Sequence, residues 1–192
     1  MKKTVGLIVV AAVCVTMIIA GYYYYTTQKG GSAKSAGDLT EVQKVITKNL
    51  DRDYPKTPRE VVKFYSRILS CFYNADCTDE EIGALGDQAR RLFDAELLEN
   101  NPREQYLSAL KADIADYREK SKVITGTSVC SSSEVVERTV DGYRCAYVEA
   151  VYYINENKAP LQANQTYVLR KDEDGNWKIL VFYKTEGESS DD

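Results

Sequence analysis

The chain has 192 residues and a net charge of −4, with 25 basic side chains, 29 acidic side chains and no histidine. Once an N-terminal segment and polar flanks are set aside, this length leaves room for one domain of roughly 130 residues. The mildly acidic balance offers no basic patch, so we expect no nucleic-acid partner. The lack of histidine removes the commonest general base and the commonest metal ligand, which weighs against many enzyme classes.

The N-terminal stretch at residues 5–25, VGLIVVAAVCVTMIIAGYYYY, is uncharged and would span about 31 Å as a helix, enough to cross a bilayer. Three interpretations compete: a cleaved signal peptide, a lipoprotein signal ending at Cys14, and an uncleaved signal anchor. The length of the apolar run and the tyrosines that follow it favour the anchor over a signal peptide. Val13, directly before Cys14, departs from the small residue of the lipoprotein pattern. We therefore predict a transmembrane helix that contacts the membrane through residues 5–25.

The charges beside this stretch predict the orientation of the chain. Lys2 and Lys3 lie on its short side, so the positive-inside rule places the N-terminus in the cytoplasm and the domain outside it. We expect a single-pass membrane protein with an extracytoplasmic domain. Its predicted parts are an anchor, a stalk with a lead-in, an α+β domain and an acidic disordered tail, at residues 1–27, 28–56, 57–186 and 187–192. The lead-in fits either a short helix or an extended segment.

The main helix of the domain is predicted at residues 57–73, TPREVVKFYSRILSCFY. Thr57 and Glu60 have the spacing of a capping box, and Pro58 fixes φ at the first helical position. Apolar side chains recur with a period of 3.6 residues and form one stripe, Val61, Tyr65, Ile68, Leu69 and Phe72.

Two further helices are predicted to begin at Thr78 and Asn101, because each of these cap residues is followed three positions later by glutamate. The first of them contains Gly83 and Gly86, each of which costs up to about 1 kcal/mol relative to alanine. We therefore expect this helix to be short, broken or closely packed.

After residue 122 the apolar period changes from 3.6 to 2, which predicts strands. Five segments rich in valine, tyrosine, isoleucine and threonine are the predicted strands, at residues 123–129, 135–140, 143–154, 165–171 and 177–183. Asp141-Gly142 and Asp174-Gly175 are the predicted hairpin turns, where glycine supplies a positive φ.

The strands are expected to bury one face under the main helix. Small alanines leave space for a helix, so we assign Ala146, Val148, Ala150, Tyr152 and Ile154 to the buried side. The opposite parity, which includes Tyr153, faces away. The last strand is expected to point inward through Trp177, Ile179 and Val181.

Helices followed by antiparallel strands predict an α+β fold in which helices pack on a curved antiparallel sheet. The element order and the final hairpin, YVLRKDEDGNWKIL at residues 167–180, resemble the nuclear transport factor 2-like superfamily of cone-shaped domains. The resemblance runs from residue 57 to about 186 and is closest to membrane-anchored bacterial members. It implies a conical cavity, which some relatives use for isomerase or dehydratase chemistry and others for binding ligands or proteins. No residue matches the catalytic positions of those relatives, so it transfers no catalytic residue.

Four cysteines fall in the predicted domain, and an even count outside the cytoplasm predicts disulfides. The favoured pairing joins Cys71 to Cys77 across the turn after the main helix, and Cys130 to Cys145 between strands. Free thiols are the alternative. No C-x-x-C spacing is present, so we expect neither a zinc site nor a cofactor.

Aromatic side chains are the candidate ligand-binding residues of the predicted cavity: Tyr65, Tyr73, Tyr152, Tyr153, Tyr167 and Trp177. Ordinary packing accounts for such residues more often than ligand binding does. The carboxylates at residues 94–99, Asp113 and Asp116 are predicted to lie on solvated helical faces. A general base would instead be a buried carboxyl with a raised pKa beside the substrate.

These features favour a non-catalytic extracytoplasmic domain that is tethered to the membrane and binds a small ligand or a protein partner at the cell envelope. The first alternative is a cavity enzyme of the isomerase or dehydratase type, with a tyrosine and a carboxylate in place of histidine. The second is an assembly protein that forms a homodimer through the open face of its sheet.

Overall fold

The computed structural model describes residues 39–185, in which helices precede strands along the chain. The helices of this region are α1 (Glu41–Ile46), α2 (Pro58–Asn74), α3 (Asp79–Arg90), α4 (Ala95–Asn100) and α5 (Arg103–Glu119). The strands are β1 (Lys122–Val129), β2 (Val136–Val140), β3 (Tyr143–Glu156), β4 (Ala159–Lys171) and β5 (Trp177–Thr185). The predicted α+β class, with helices on a curved antiparallel sheet, is confirmed.

The predicted anchor, the stalk up to residue 38 and the acidic tail lie outside the described residues. Among the helices at residues 39–185, none has both the length and the apolar character that a membrane crossing requires.

Capping boxes start three of the helices. At α2, the hydroxyl of Thr57 accepts from the amide of Glu60 at 3.2 Å, and the Glu60 carboxylate accepts from the Thr57 amide at 3.1 Å. Thr78 starts α3 in the same way, as predicted. Thr40 does so for α1, whose Val42 and Val45 are buried in the common core. The lead-in is therefore a packed helix, and the folded unit begins at Thr40.

The predicted cap of the last helix is wrong. Pro102 precedes α5 and has no side-chain group to bond the exposed amides. Asn101 instead closes α4, where its Nδ2 atom donates to the carbonyl oxygen of Leu97 at 3.0 Å. The sequence reading missed α4, which Asp94 caps by accepting from the amide of Glu96 at 3.0 Å.

The five strands form one open antiparallel sheet in the order β1-β3-β4-β5. One edge of β3 pairs with β4 from Cys145 to Glu156. Its other edge pairs first with β2 and then with β1. Bulges interrupt the pairing of β1 with β3 and of β4 with β5, and such bulges bend and twist a sheet.

Helix α2 lies across the concave face of this sheet, as predicted. Ala146, Val148 and Ala150 are buried there, in one core with the α2 stripe. Three polar contacts hold the helix from end to end. Arg59 Nε donates to the carbonyl oxygen of Cys130 at 2.6 Å, and the Ser66 hydroxyl lies 2.9 Å from that of Tyr152.

The third contact fixes the C-terminal end of α2 to the bulged part of β1. The Asn74 side chain donates to the carbonyl oxygen of Ile124 at 2.7 Å and accepts from its amide at 2.9 Å. The Asn74 side chain thus bonds both the amide and the carbonyl group of Ile124, as a neighbouring strand would, so neither backbone group beside the bulge is left unpaired.

The inward assignment of Val181 is wrong. Trp177 and Ile179 are buried as predicted, but Val181 is 43 % exposed. The bulge at Leu180 explains this: Leu169 pairs with Ile179, whereas Val168 pairs with Val181. The extra residue reverses the alternation, so Phe182 pairs with Tyr167 and takes the inward side in place of Val181.

The predicted hairpin turns are confirmed, and a third turn was missed. Asp141 and Gly142 have φ values of 49° and 83°, and Gly175 has 81°. Asn157 and Lys158 also have positive φ, at 50° and 70°, and join β3 directly to β4. This turn contains no glycine and was not predicted from the sequence. Because of it, β4 begins at Ala159 rather than at the predicted residue 165.

The cysteines do not form the expected disulfides: Cys71, Cys77, Cys130 and Cys145 are free thiols. The thiol of Cys77 donates to the carbonyl oxygen of Cys71 at 3.5 Å, and burial raises the pKa of Cys71 to about 11. This thiol is therefore protonated at neutral pH and a poor nucleophile.

Strand geometry separates the other pair. The Cys130 amide bonds to Glu149 on β3, and Cys145 lies four residues back along that strand. Four residues of strand span about 13 Å, whereas a disulfide needs Cα atoms within about 7 Å.

The two glycines of α3 differ in their surroundings, and the helix is unbroken. A Cβ at Gly86 would lie 2.6 Å from Cδ2 of Leu107 on α5, whereas a Cβ at Gly83 would meet no atom within 4 Å. Gly86 is therefore the position at which α3 and α5 approach each other closely.

Gly83→Ala and Gly86→Ala form a matched pair that tests this packing. Gly83→Ala should raise the free energy of unfolding by about 0.5–1 kcal/mol, because alanine loses less backbone entropy in a helix. Gly86→Ala should lie about 0.5–1.5 kcal/mol below Gly83→Ala, because Cδ2 of Leu107 must leave its present position to admit the new methyl group. Urea denaturation of both variants measures the difference. Equal gains in the two variants would contradict the close approach of the helices.

Candidate functional site

A cavity of about 290 Å³ lies between α2, α5 and the concave face of the sheet. We call it the aromatic cavity and define it by its lining residues. From α2 these are Tyr65, Leu69 and Tyr73, and from α5 they are Tyr106, Ala109, Leu110, Asp113 and Tyr117. From the strands they are Ile124, Tyr152, Ile154, Ala163, Gln165 and Phe182.

The periodicity of each element brings these residues to one place. On α2 the lining positions are four residues apart, and on α5 they follow the spacing i, i+4, i+7 and i+11 from Tyr106, which is one helical face. On β3 and β4 the lining residues alternate, and Tyr152 pairs directly with Ala163. The floor is buried, whereas Ala109, Asp113 and Phe182 are exposed and mark the opening.

A chain of hydroxyl groups runs beneath the cavity from α2 to β4. The hydroxyl of Tyr167 donates to Gln165 Oε1 at 2.7 Å, so its oxygen accepts from the Tyr152 hydroxyl at 2.6 Å. The Tyr152 oxygen in turn lies 2.9 Å from the Ser66 hydroxyl, whose single proton can be donated either to Tyr152 or to the carbonyl oxygen of Val62, also 2.9 Å away. The chain satisfies buried polar groups and joins the helix to two strands.

Burial keeps the phenols of this region neutral. It raises the pKa of Tyr65, Tyr152 and Tyr167 above the ordinary value, and it does the same for Tyr73 and Tyr106. At neutral pH these groups offer hydrogen bonds and ring surface but no phenolate base.

Tyr65 combines a buried side chain with a hydroxyl group that is free to bond a ligand. Its side chain is only 4 % exposed and lines the cavity. Within residues 39–185 its hydroxyl has no hydrogen-bond partner, unlike the hydroxyls of Tyr152 and Tyr167. The hydroxyl oxygen is not among the fully enclosed side-chain atoms that lack a partner, so it keeps access to the cavity and is available to a bound molecule.

The carboxylates follow three different patterns. Asp113 is exposed at the cavity opening and has no ion-pair partner among residues 39–185, while Asp116 pairs with Lys120 at 2.6 Å. Asp94 contradicts the expected solvated position: it is buried and paired with Arg170, whose Nε lies 3.0 Å from its Oδ2.

Asp94 is nevertheless not suited to act as a general base. Burial alone would raise its pKa, but hydrogen bonds from Arg170 and the Glu96 amide outweigh that effect, and the net pKa falls below the ordinary value. Its carboxylate is held as a structural partner of β4, and it does not line the aromatic cavity.

Three of the six predicted ligand-binding residues line the cavity, namely Tyr65, Tyr73 and Tyr152. Tyr167 lies directly beneath and contacts the floor through Tyr152. The structure does not bring the other two to the site. Tyr153 is 46 % exposed on the opposite face of the sheet, and Trp177 is buried near Arg144 and Lys171, outside the lining.

Sequence reasoning missed Tyr106, Asp113, Tyr117, Gln165 and Phe182 as site residues. A signal was present for those on α5, because Tyr106, Asp113 and Tyr117 recur at i, i+7 and i+11 and therefore share one helical face. No local signal existed for Phe182, because its direction depends on the bulge in β5.

Among residues 39–185 no group of three or more acidic, cysteine or histidine side chains could hold a metal ion. The fold and the site together define an α+β domain with an aromatic cavity enclosed between helices and an open sheet. A family model for a domain of unknown function, DUF6715, matches residues 1–182, and the chain belongs to this family. Comparison with curated proteins gives no match.

Tyr167→Phe tests whether the hydroxyl chain supports the cavity floor. The variant removes the acceptor of Tyr152 and the donor to Gln165, so the free energy of unfolding should fall by about 1–3 kcal/mol. The control is Tyr153→Phe, which removes an exposed hydroxyl and should change stability by less than about 0.5 kcal/mol. Urea denaturation measures both variants. Equal losses in the free energy of unfolding would show that the hydroxyl chain contributes nothing to stability.

Proposed function

We propose that this chain is a non-catalytic ligand-binding protein, tethered to the membrane through residues 5–25, with its α+β domain on the extracytoplasmic side. The domain binds a small, largely apolar molecule in the aromatic cavity. The observation that supports the proposal is the cavity itself, a space of about 290 Å³ with an aromatic lining, into which Tyr65 brings a hydroxyl that has no hydrogen-bond partner within residues 39–185.

The size of the cavity supports a ligand of one ring with a few further atoms. Ligand pockets commonly enclose about 300–1,000 Å³, so this cavity is at the small end of that range. An engineered protein cavity of about 150 Å³ binds benzene, and the space here is about twice as large.

The chemistry of the lining supports binding over catalysis. The buried phenols are kept neutral, and the one charged lining residue, Asp113, is exposed rather than desolvated. A general base needs a pKa matched to its reaction and close contact with the proton that it removes. These groups instead provide ring surface and hydrogen bonds that orient a molecule.

The architecture also agrees with the resemblance to cone-shaped domains of the nuclear transport factor 2-like superfamily, in which helices cover a curved sheet around a cavity. We propose that this chain is a membrane-anchored member with that arrangement. The charges of Lys2 and Lys3 support an extracytoplasmic domain through the positive-inside rule.

A thermal-shift screen of the full-length chain with small aromatic and aliphatic compounds, neutral and charged, tests the proposal. A compound at 100 times its dissociation constant should stabilise the protein by about 2.7 kcal/mol. Ala163→Phe places a ring in the cavity from β4 and should abolish the stabilisation. The matched control is Ala159→Phe, an exposed position on the same strand, which should keep it.

A second variant that fills the cavity keeps the test valid if Ala163→Phe does not fold. Ala109→Phe enters the same cavity from an exposed position of α5, where the backbone tolerates a larger side chain. Two results would contradict the proposed function: no compound stabilises the chain, or the active compounds stabilise both filled variants as strongly as the unmodified protein.

A further inference from the structure

We propose that the ligand of the aromatic cavity is a small organic cation, an ammonium ion with apolar substituents. This inference rests on the proposed function and adds its ligand class. The supporting observation is that the lining residues within 39–185 combine six aromatic rings with one carboxylate and include no basic side chain.

The rings provide the main attraction for such a cation. They belong to Tyr65, Tyr73, Tyr106, Tyr117, Tyr152 and Phe182. The face of an aromatic ring carries negative potential, and an ammonium group within about 6 Å of a ring centroid is attracted to it most strongly where water is excluded. Quaternary ammonium groups suit such sites because they have no N–H donors to leave unpaired and lose less hydration free energy on leaving water than a primary ammonium does.

The rings that line the cavity come from both helices and from the sheet. Tyr73 and Tyr117 stack with centroids 4.0 Å apart, while Tyr65 and Phe182 lie 6.0 Å apart at a tilt of 44°. These two pairs combine α2 with α5 and α2 with β5, so rings approach the cavity from both helices and from the sheet. A bound cation can therefore contact several rings at once.

Two basic side chains of the protein already make cation–π contacts with rings of this cluster. Lys122 Nζ lies 5.4 Å from the centroid of the Tyr117 ring, and the guanidinium of Arg90 lies 5.8 Å from that of Tyr106. Neither residue lines the cavity, and Lys122 is also paired with Glu156 at 3.5 Å. Two of the six rings thus already take part in cation–π contacts, while none of the lining residues that the structure describes is positively charged.

Asp113 supplies the charge that selects the ligand. It lines the opening and has no ion-pair partner within residues 39–185, in contrast to Asp116 one turn further along α5. An anion would be repelled by Asp113 and would meet no basic partner in the lining. A neutral molecule could at most donate a hydrogen bond to the carboxylate and would gain no charge–charge attraction, so a cation is the ligand class that uses every part of the site.

The test compares choline with 3,3-dimethylbutan-1-ol, which has nearly the same shape but no charge. Titration calorimetry of the full-length chain should show choline binding about tenfold more tightly, or better, as expected for cation–π contacts in a desolvated site. The pair isolates charge, because size, branching and the hydroxyl group are shared.

Two sets of variants locate the source of the preference. Asp113→Asn should weaken choline binding about twofold to fivefold and leave the alcohol unchanged, as for a partly solvated ion pair. Glu119→Gln is the matched control, because it removes an exposed charge of the same helix outside the cavity. Tyr117→Leu should weaken choline binding by about threefold or more, whereas Tyr117→Phe should keep it because the ring remains.

Several outcomes would overturn the inference and are distinguishable from failure of the proposed function. Equal affinity for choline and the alcohol would remove the cation preference while leaving the cavity as a binding site. Binding of other compounds from the screen, but of neither probe, would give the ligand a different class. A loss as large in Tyr117→Phe as in Tyr117→Leu would assign the binding to the hydroxyl rather than the ring. If no compound binds at all, the proposed function itself fails.

Discussion

The seating of α2 on the concave face of the sheet is the interaction on which the rest of the structure depends. Ala146 and Ala150 give the helix room to lie close to β3, and Arg59, Ser66 and Asn74 fix its two ends and its middle to the strands. With α2 held in this way, α5 lies beside it and lines the other wall of the cavity. The position of one helix therefore determines both the core and the space available to a ligand.

The elements that the sequence predicts correctly are those whose local signals agree. The capping box at Thr57, the stripe of α2 and the alternation of β3 all depend on neighbouring residues, and each is confirmed. The errors within the sheet occur where strand pairing and turn geometry decide. The bulge that turns Val181 outward is a property of two paired strands, and the positive φ of Lys158 is imposed by a tight hairpin without glycine.

The candidate site could be predicted only in part for the same reason. The site residues on α2 and β3 could be predicted, because the packing of α2 on the sheet follows from the sequence. The alternation of β3 also places Tyr152 and Tyr153 on opposite faces of the sheet. The face of α5 could be predicted from its helical period, but its place beside the cavity could not, because that helix packs through a contact between Gly86 and Leu107, which are distant in the chain. Asp113 could be recognised as a helical surface residue but not as the charged edge of a cavity.

Electron density in the cavity tests the central claim most directly. A crystal of the protein exposed to xenon under pressure should show a xenon atom between Tyr65, Ile154 and Phe182, because xenon enters apolar cavities that a protein leaves open. Density for side chains filling that space, with no xenon bound, would contradict the account, since α2 and α5 would then close on the sheet without leaving a ligand site.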